Sequence, residues 1–357
     1  MFKISNELKK FDARTKIDEY MMSELFKISN TKPSKMFSVF SETLELANKV
    51  ELESSFAPKV NYSYYSNTDL QAIGQMFRIT NSPDFNYKEV MDKEFKINEQ
   101  DALFGQYAST LMNWNLTKRI YTINDDILSE LISGNKNPSL PCDVLLQLPD
   151  YAVYVNCPIE FTNVKVGVSG FYATLTNNIL FDGRVCPALQ IIWCHVSTTE
   201  NPKISSMVLF LDNTKDLNQA IAETFSQAKE HLNSQDELSD SNNQLLAAFI
   251  NCLLYLCQPE VDYKGGQPKC YVRNRVKLGM KIEPAKKITN VIVGEAVGKQ
   301  LREARVVAER EFKEGKRKSP HLRRGHFHHY WILDADNEGQ AKLIVKWLNP
   351  IMVNGTI

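Results

Sequence analysis

The first 135 residues of the chain have a largely helix-forming composition, and hydrophobic residues recur at helical intervals in part of this region. Within 101–120, Leu103 and Tyr107 belong to a stripe that indicates a helix with one buried face. Asn124 or Asp125 is predicted to cap a further helix, because short polar side chains accept hydrogen bonds from the first free N–H groups. The N-terminal region, 1–135, is therefore predicted to be mostly helical.

The pattern changes between residues 140 and 231. Short runs of β-branched and aromatic residues predict strands at 151–155, 170–175, 188–196 and 207–211. Helices do not alternate with these runs, so a mixed or antiparallel sheet is predicted rather than a doubly wound parallel one. The pair Asp182-Gly183 is typical of a tight turn between two antiparallel strands.

The C-terminal region, 244–357, combines both patterns. Residues 245–257 predict a buried helix, and residues 291–312 predict a long helix with a hydrophobic stripe. The runs 326–333 and 343–348 predict a β-hairpin. The whole chain is thus predicted to be α+β, with a helical N-terminal part, a central mixed or antiparallel sheet, and a C-terminal long helix plus β-hairpin.

Two glycines interrupt the predicted long helix. Gly294 and Gly298 lie four residues apart and would share one helix face. Each costs roughly 1 kcal/mol relative to alanine inside a helix, so each needs a structural reason. Close approach of another backbone is the predicted reason, and Gly294, Gly298 and the adjacent Glu295 are assigned structural roles.

Charge is unevenly distributed along the chain. Lysine plus arginine and aspartate plus glutamate both total 42, so the formal net charge is zero. Residues 264–324 contain 18 basic and 6 acidic residues, a net +12, which leaves 24 basic and 36 acidic residues, a net −12, elsewhere. The asymmetry predicts a basic surface that faces a polyanion on an acidic body. The alternative is a set of solvated helix faces.

Cysteine usage and hydropathy indicate a cytoplasmic protein. The seven cysteines have no paired spacing, as in proteins of reducing compartments. The longest apolar stretch, 245–257, is too short to span a membrane, and the N-terminal sequence does not have the pattern of a secretory signal. No nucleotide-binding glycine loop is present, so no cofactor is predicted.

Chemistry-bearing residues concentrate in 319–331, which holds four of the six histidines in the chain. Pro320 and Gly325 are predicted to bound a short turn. Alternation in the strand that follows places His326, His328 and Tyr330 on one face. The opposite face, which includes Phe327, His329 and Trp331, is predicted to pack on the core.

Several interpretations of this segment remain open. A metal site lacks a nearby carboxylate or cysteine partner, and no metal is assigned. As catalysts, His326 and His328 have the residue types needed to cleave RNA, with Arg323 or Arg324 stabilising the developing charge. As a binding surface, arginines contact phosphates while aromatic rings stack on bases. As architecture, the rings pack and the arginines pair with carboxylates such as Glu295.

The binding interpretation assigns ten residues to RNA or another partner. They are Lys316, Arg317, Lys318, His321, Arg323, Arg324, His326, His328, Tyr330 and Trp331.

The segment 319–331 also resembles the C-terminal sequence of a known family. That family is the type V-A anti-CRISPR proteins that block production of the type V-A CRISPR nuclease. The shared pattern is Pro-His-hydrophobic-Arg-Arg-Gly-His-aromatic-His. Further stretches resemble the family in the same order along the chain, from about residue 120 to the end: 148–155, 170–173, 253–265, the helix with Gly294 and Gly298, and 346–350.

The resemblance implies a protein of phages, plasmids or other mobile elements, acting in the cytoplasm of a bacterial host. It implies recognition of the emerging nuclease chain and loss of its message, by this protein or by a recruited host nuclease. The implied partners are the nascent nuclease polypeptide and RNA or the ribosome, with no membrane. The alternative is an RNA-binding or RNA-cleaving protein of a mobile element with a different target.

A peptide groove is predicted in the central strands. Extended peptides commonly add to sheets. Tyr151, Tyr154, Phe171 and Tyr172 are the candidate peptide-binding residues.

Overall fold

The computed structural model describes residues 2–29, 99–133, 140–161, 166–179, 185–197, 201–212, 215–232, 240–264, 283–313, 321–323, 325–333, 341–348 and 351–353, together with residues 32, 35, 38 and 70. The α+β class predicted from the sequence is confirmed.

The α-helices in the described ranges are α1 (Ala13–Ser29), α2 (Glu99–Asn115), α3 (Asp125–Ser133), α4 (Leu217–Leu232), α5 (Asp240–Leu256) and α6 (Glu295–Lys313). The predicted cap of α3 is confirmed at Asn124, whose Oδ1 accepts the Asp126 N–H at 3.0 Å. The buried helix predicted at 245–257 corresponds to α5 and begins a little earlier.

The strands are β1 (Phe2–Ile4), β2 (Arg119–Ile123), β3 (Ala152–Phe161), β4 (Val166–Ile179), β5 (Val185–Ser197), β6 (Lys203–Phe210), β7 (Thr289–Val293), β8 (His321–Arg323), β9 (His326–Leu333), β10 (Ala341–Leu348) and β11 (Ile351–Val353).

A mixed sheet of seven strands organises the described part of the chain, in the order β6-β5-β4-β3-β2-β7, with β1 also paired to β3. Strands β3 to β6 form an antiparallel meander. Strand β2 runs parallel to both β3 and β7, so the sheet is mixed, as predicted. The predicted turn at Asp182-Gly183 lies outside the described residues, and the strands on either side of it are antiparallel neighbours.

Helices cover both faces of the sheet, which explains why β3 is almost continuously apolar. On one face, Tyr154 and Tyr172 pack with residues of α1 and α2. On the other face, Val155 and Phe171 belong to a larger core that includes α3, α5 and the C-terminal hairpin. Phe171 stacks on Phe249 of α5 with ring centroids 4.1 Å apart.

The long helix predicted over 291–312 begins later than expected. Residues Thr289–Val293 form β7, and Gly294 turns the chain with a φ of +76° before α6 starts at Glu295. The run of β-branched residues favours a strand, and only glycine adopts that φ without strain. The prediction that Gly294 and Gly298 share a helix face is therefore wrong.

Gly298 is inside α6, and the neighbour that requires it is a side chain rather than a backbone. A Cβ built at Gly298 would overlap Asn124 Oδ1, and Nδ2 of the same amide would lie at 3.0 Å. The residue that caps α3 thus occupies the space that a larger residue in α6 would need. The predicted close approach of a second backbone at this position is wrong.

Strands β9 and β10 form the predicted hairpin, in a register that runs from His326↔Leu348 to Leu333↔Ala341. The short turn predicted between Pro320 and Gly325 is wrong in part, because His321–Arg323 form β8, which pairs antiparallel with β11. Within the described ranges, no helix is long and apolar enough to cross a membrane.

Candidate functional site

The C-terminal hairpin is anchored to the core at one end. Phe327 and Trp347 are directly opposite in the register, pack edge to face with centroids 4.8 Å apart, and are both buried. Val345, on the same face, is fully buried. This half of the hairpin is therefore fixed on the protein by its apolar residues.

The other face of β9 is exposed and carries His326, His328 and Tyr330; we call it the hairpin face. The rings of His328 and Tyr330 lie with centroids 4.6 Å apart at an interplanar angle of 34°. Nδ1 of His328 lies 2.9 Å from the His329 carbonyl oxygen. A carbonyl only accepts, so this bond requires the proton on Nδ1 and leaves Nε2 as the basic nitrogen of the neutral ring.

The expectation that the opposite face packs on the core holds for Phe327 but is wrong for Trp331. Trp331 is 64% exposed, and His329 is exposed as well. The strand extends past the core after Phe327, so the alternation persists while the burial stops. Aromatic surface is consequently available on both faces of this part of the hairpin.

A junction of three segments adjoins the hairpin at the start of α6. The Asp262 carboxylate accepts the Ala296 N–H at 2.5 Å and the Val297 N–H at 3.3 Å, and so caps the helix. The Gly294 N–H donates to the Asp262 carbonyl at 2.8 Å. Glu295, the first helical residue, pairs with Lys264 at 3.1 Å. These contacts fix the position of α6 relative to the segment that follows α5.

The same segment also holds β10. The Gln258 Oε1 accepts a hydrogen bond from the main-chain N–H of Trp347 at 2.7 Å, and the Glu260 carboxylate lies 3.4 Å from the Lys346 ammonium. A cavity of about 240 Å³ lies between this segment, α6 and β10. Its lining residues are Tyr255, Gln258, Pro259, Glu260, Val261, Asp262, Val297, Ile344, Lys346 and Trp347.

Two arginines of the predicted basic surface are paired within the molecule. Arg302 and Arg305 both contact the Asp126 carboxylate at 2.8 Å, and Arg305 also contacts Glu130 at 2.7 Å. These carboxylates belong to α3, so the ion pairs join α3 to α6. Part of the basic excess counted along the sequence therefore meets the acidic body of the same protein.

Most of the predicted RNA-binding residues before the hairpin are not described. Lys316, Arg317, Lys318 and Arg324 lie outside the described residues. His321 and Arg323 lie in β8, beside β11. The binding roles assigned to these residues remain predictions.

The four predicted peptide-binding aromatics, Tyr151, Tyr154, Phe171 and Tyr172, are buried. They lie on or next to β3 and β4, which are interior strands of the sheet. The Tyr172 hydroxyl donates to Asp18 Oδ1 at 2.6 Å, which ties the strand to α1. A peptide bound at these side chains would have to displace the core packed around them.

A buried ion pair fixes the start of β3. The Arg119 guanidinium donates to Asp150 at 2.8 Å, and the Tyr121 hydroxyl donates to the other carboxylate oxygen at 2.7 Å. Burial, together with the Asp150 charge, raises the pKa of Tyr121 far above its ordinary value, so the phenol remains a donor.

The described residues contain no cluster of three histidine, cysteine or carboxylate side chains suited to a metal.

Comparison with known protein families shows which family this chain belongs to. A family model described as "Anti-CRISPR type V subtype A2 family" (AcrVA2-like) matches residues 121–355. The chain belongs to the AcrVA2-like family. The AcrVA2-like match contains the hairpin, α6, the segment after α5 and strands β3 to β7 of the sheet.

A solved structure entitled "Crystal structure of AcrVA2" has the same fold. It matches with a TM-score of 0.56 and 17% sequence identity, over 95% of this chain and 99% of that chain. A search of curated protein sequences gives no significant match. The structural match therefore also includes N-terminal residues that precede the part matched by the family model.

Sequence reasoning missed the residues that build the junction. Asp262, Gln258 and Trp347 lie in stretches with family resemblance, but their roles depend on contacts between segments distant in sequence. A cap is recognisable from sequence when it directly precedes its helix, as Asn124 does. Asp262 caps a helix that begins beyond a long intervening stretch, so no local pattern indicates it.

Proposed function

We propose that this protein suppresses production of a type V-A CRISPR nuclease, by recognising the nuclease chain as it emerges and causing loss of its message. The observation that carries the proposal is membership of the anti-CRISPR family over residues 121–355. The proposal assigns recognition of the chain and contact with RNA or the ribosome to the C-terminal part of the molecule.

The hairpin face supports the RNA contact. Single-stranded nucleic acid binds to exposed aromatic rings by stacking, at roughly 1–3 kcal/mol per base, and to cations by its phosphates. Tyr330 on this face is 40% exposed, Trp331 on the opposite face of the same strand is 64% exposed, and Lys346 lies opposite His328 in the register. The chemistry of this surface is that of a short stacking platform.

Co-expression with a type V-A nuclease tests the proposal. Nuclease protein and nuclease message are both measured, and both are expected to fall. A synonymously recoded gene keeps the polypeptide and changes the RNA, so it should remain sensitive. A gene with an early compensated frameshift keeps most of the RNA and changes the first part of the polypeptide, so it should be spared. Unchanged levels of protein and message from the normal gene would refute the proposal.

A second candidate function is RNA cleavage by His326 and His328. The observation that favours it is their exposure on one face of β9, with Nε2 of His328 as the basic nitrogen. Purified protein is incubated with RNA from pH 5 to 8, the range in which histidine titrates. Cleavage that is lost in His328→Ala would support an enzyme. RNA that stays intact across this range would leave message loss to a recruited nuclease.

A further inference from the structure

The cavity between β10, α6 and the segment Gln258–Asp262 has features of a binding site for one side chain. Its volume of about 240 Å³ is sufficient for a single large apolar side chain. The cavity is too small to accept a helix or a larger part of a folded protein. Val261, Val297 and Ile344 supply apolar lining. Sites of this kind are apolar cavities with a few placed polar groups.

Charge around the cavity favours a cation over a phosphate. The lining includes the carboxylates of Glu260 and Asp262 and one cation, Lys346. Glu260 is 78% exposed and its pairing with Lys346 is at 3.4 Å. Exposed pairs of this kind are weak, so an incoming lysine or arginine can replace Lys346 at little cost. A phosphate backbone would instead approach two negative groups.

Trp347, one of the lining residues, carries a donor that lacks an acceptor. The indole Nε1 of Trp347 is buried and has no hydrogen-bond partner in the described part of the chain. A buried donor without an acceptor is unfavourable, and such groups call for a structural explanation.

We infer that this cavity binds an extended segment of a partner polypeptide, with one large apolar side chain inside and a neighbouring basic residue on Glu260. The inference rests on the proposed function, in which a nascent chain is recognised, and it locates that recognition beside the hairpin face. Ile344 lies opposite Tyr330 in the register, so the segment continues toward the exposed rings. Recognition of the chain and contact with RNA are then neighbouring events on one surface.

An array of overlapping 15-residue peptides that covers the type V-A nuclease sequence tests the inference, probed with the purified full-length protein. Bound peptides should share a large apolar residue next to lysine or arginine. Ile344→Trp fills the cavity and Glu260→Lys reverses the charge at its rim. Each should weaken binding of the best peptide by about tenfold or more, the change that roughly 1.4 kcal/mol produces.

Glu303→Lys is the matched control, because it reverses an exposed charge on α6 away from the cavity and should bind like the unaltered protein. Glu260 is exposed, so Glu260→Lys separates loss of binding from loss of fold. The inference would be overturned if no peptide bound. It would also be overturned if both cavity variants bound the best peptide as tightly as the unaltered protein does. Loss of RNA association rather than peptide binding in Ile344→Trp would also overturn it and assign the cavity to RNA. Failure of the proposed function itself appears separately, as unchanged nuclease and message in co-expression with the unaltered protein.

Discussion

Replacing Gly298 by alanine tests the contact that joins α3 to α6. In an exposed helix interior the change would stabilise the protein by about 1 kcal/mol, because alanine has the higher helix propensity. Here the new Cβ overlaps the Asn124 amide, where ordinary contacts begin at 3.4 Å. Asn124 must turn away and give up the Asp126 N–H, a cap worth about 1 kcal/mol. Overpacking adds about 1–3 kcal/mol.

The expected net effect of Gly298→Ala is therefore a loss of roughly 1–3 kcal/mol in the free energy of unfolding. Urea titration followed by tryptophan fluorescence measures it, with Lys299→Ala as an exposed neighbour that should change little. Asn124→Ala removes the obstructing amide, so in that background Gly298→Ala should become stabilising. A variant Gly298→Ala that is more stable than the unaltered protein would refute the contact.

Three further perturbations have defined outcomes. Arg119→Ala leaves the buried Asp150 without its cation and should cost roughly 3–5 kcal/mol in urea unfolding; a loss below 1 kcal/mol would contradict the pairing. Burial, reinforced by the charge of Lys203, lowers the pKa of His195 from its usual 6.5. The unfolded chain then binds a proton more readily than the folded chain as the pH falls below about 6.5, so stability should fall on acidification through that value. His195→Gln should lessen this slope, and an unchanged slope would contradict it. Phe327→Ala should cost about 3–5 kcal/mol and expose the hairpin to limited proteolysis, whereas equal protease resistance would argue against the anchor.

The sheet was predictable where the sequence pattern is local. The run at 151–155 lies within β3 except for Tyr151, the run at 170–175 lies within β4, and the predicted strand 326–333 has the bounds of β9. Each of these segments has its signal within a few residues, in β-branched and aromatic side chains. The pairing of β2 with β7 has no such signal, because it depends on residues that are distant in sequence.

The errors have physical causes that single residues illustrate. Val293 and Val297 fit a helical stripe, but Gly294 between them is a left-handed turn, so the stripe spans a strand and a helix. The alternating pattern of β9 places Trp331 on the same face as the buried Phe327. Trp331 is nevertheless exposed, because the strand extends beyond the core at this position. Tyr154 and Tyr172 are enclosed by α1 and α2, a burial that the sequence pattern did not indicate, and their peptide-binding role stays a prediction. In each case the outcome was decided by which distant element packs on the residue.

The parallel pairing of β2 with β7 has a consequence for the order of events during synthesis. Strand β2 leaves the ribosome before β7 and remains without this second neighbour until residues Thr289–Val293 have been translated. Pairings between residues so far apart form slowly, because a long loop must close before any contact rewards it. A chain released before this point lacks β7, and with it the helix and hairpin that follow. The sheet is thus completed only after residues Thr289–Val293 have been translated, and a chain that stops earlier leaves one side of β2 as an unpaired edge.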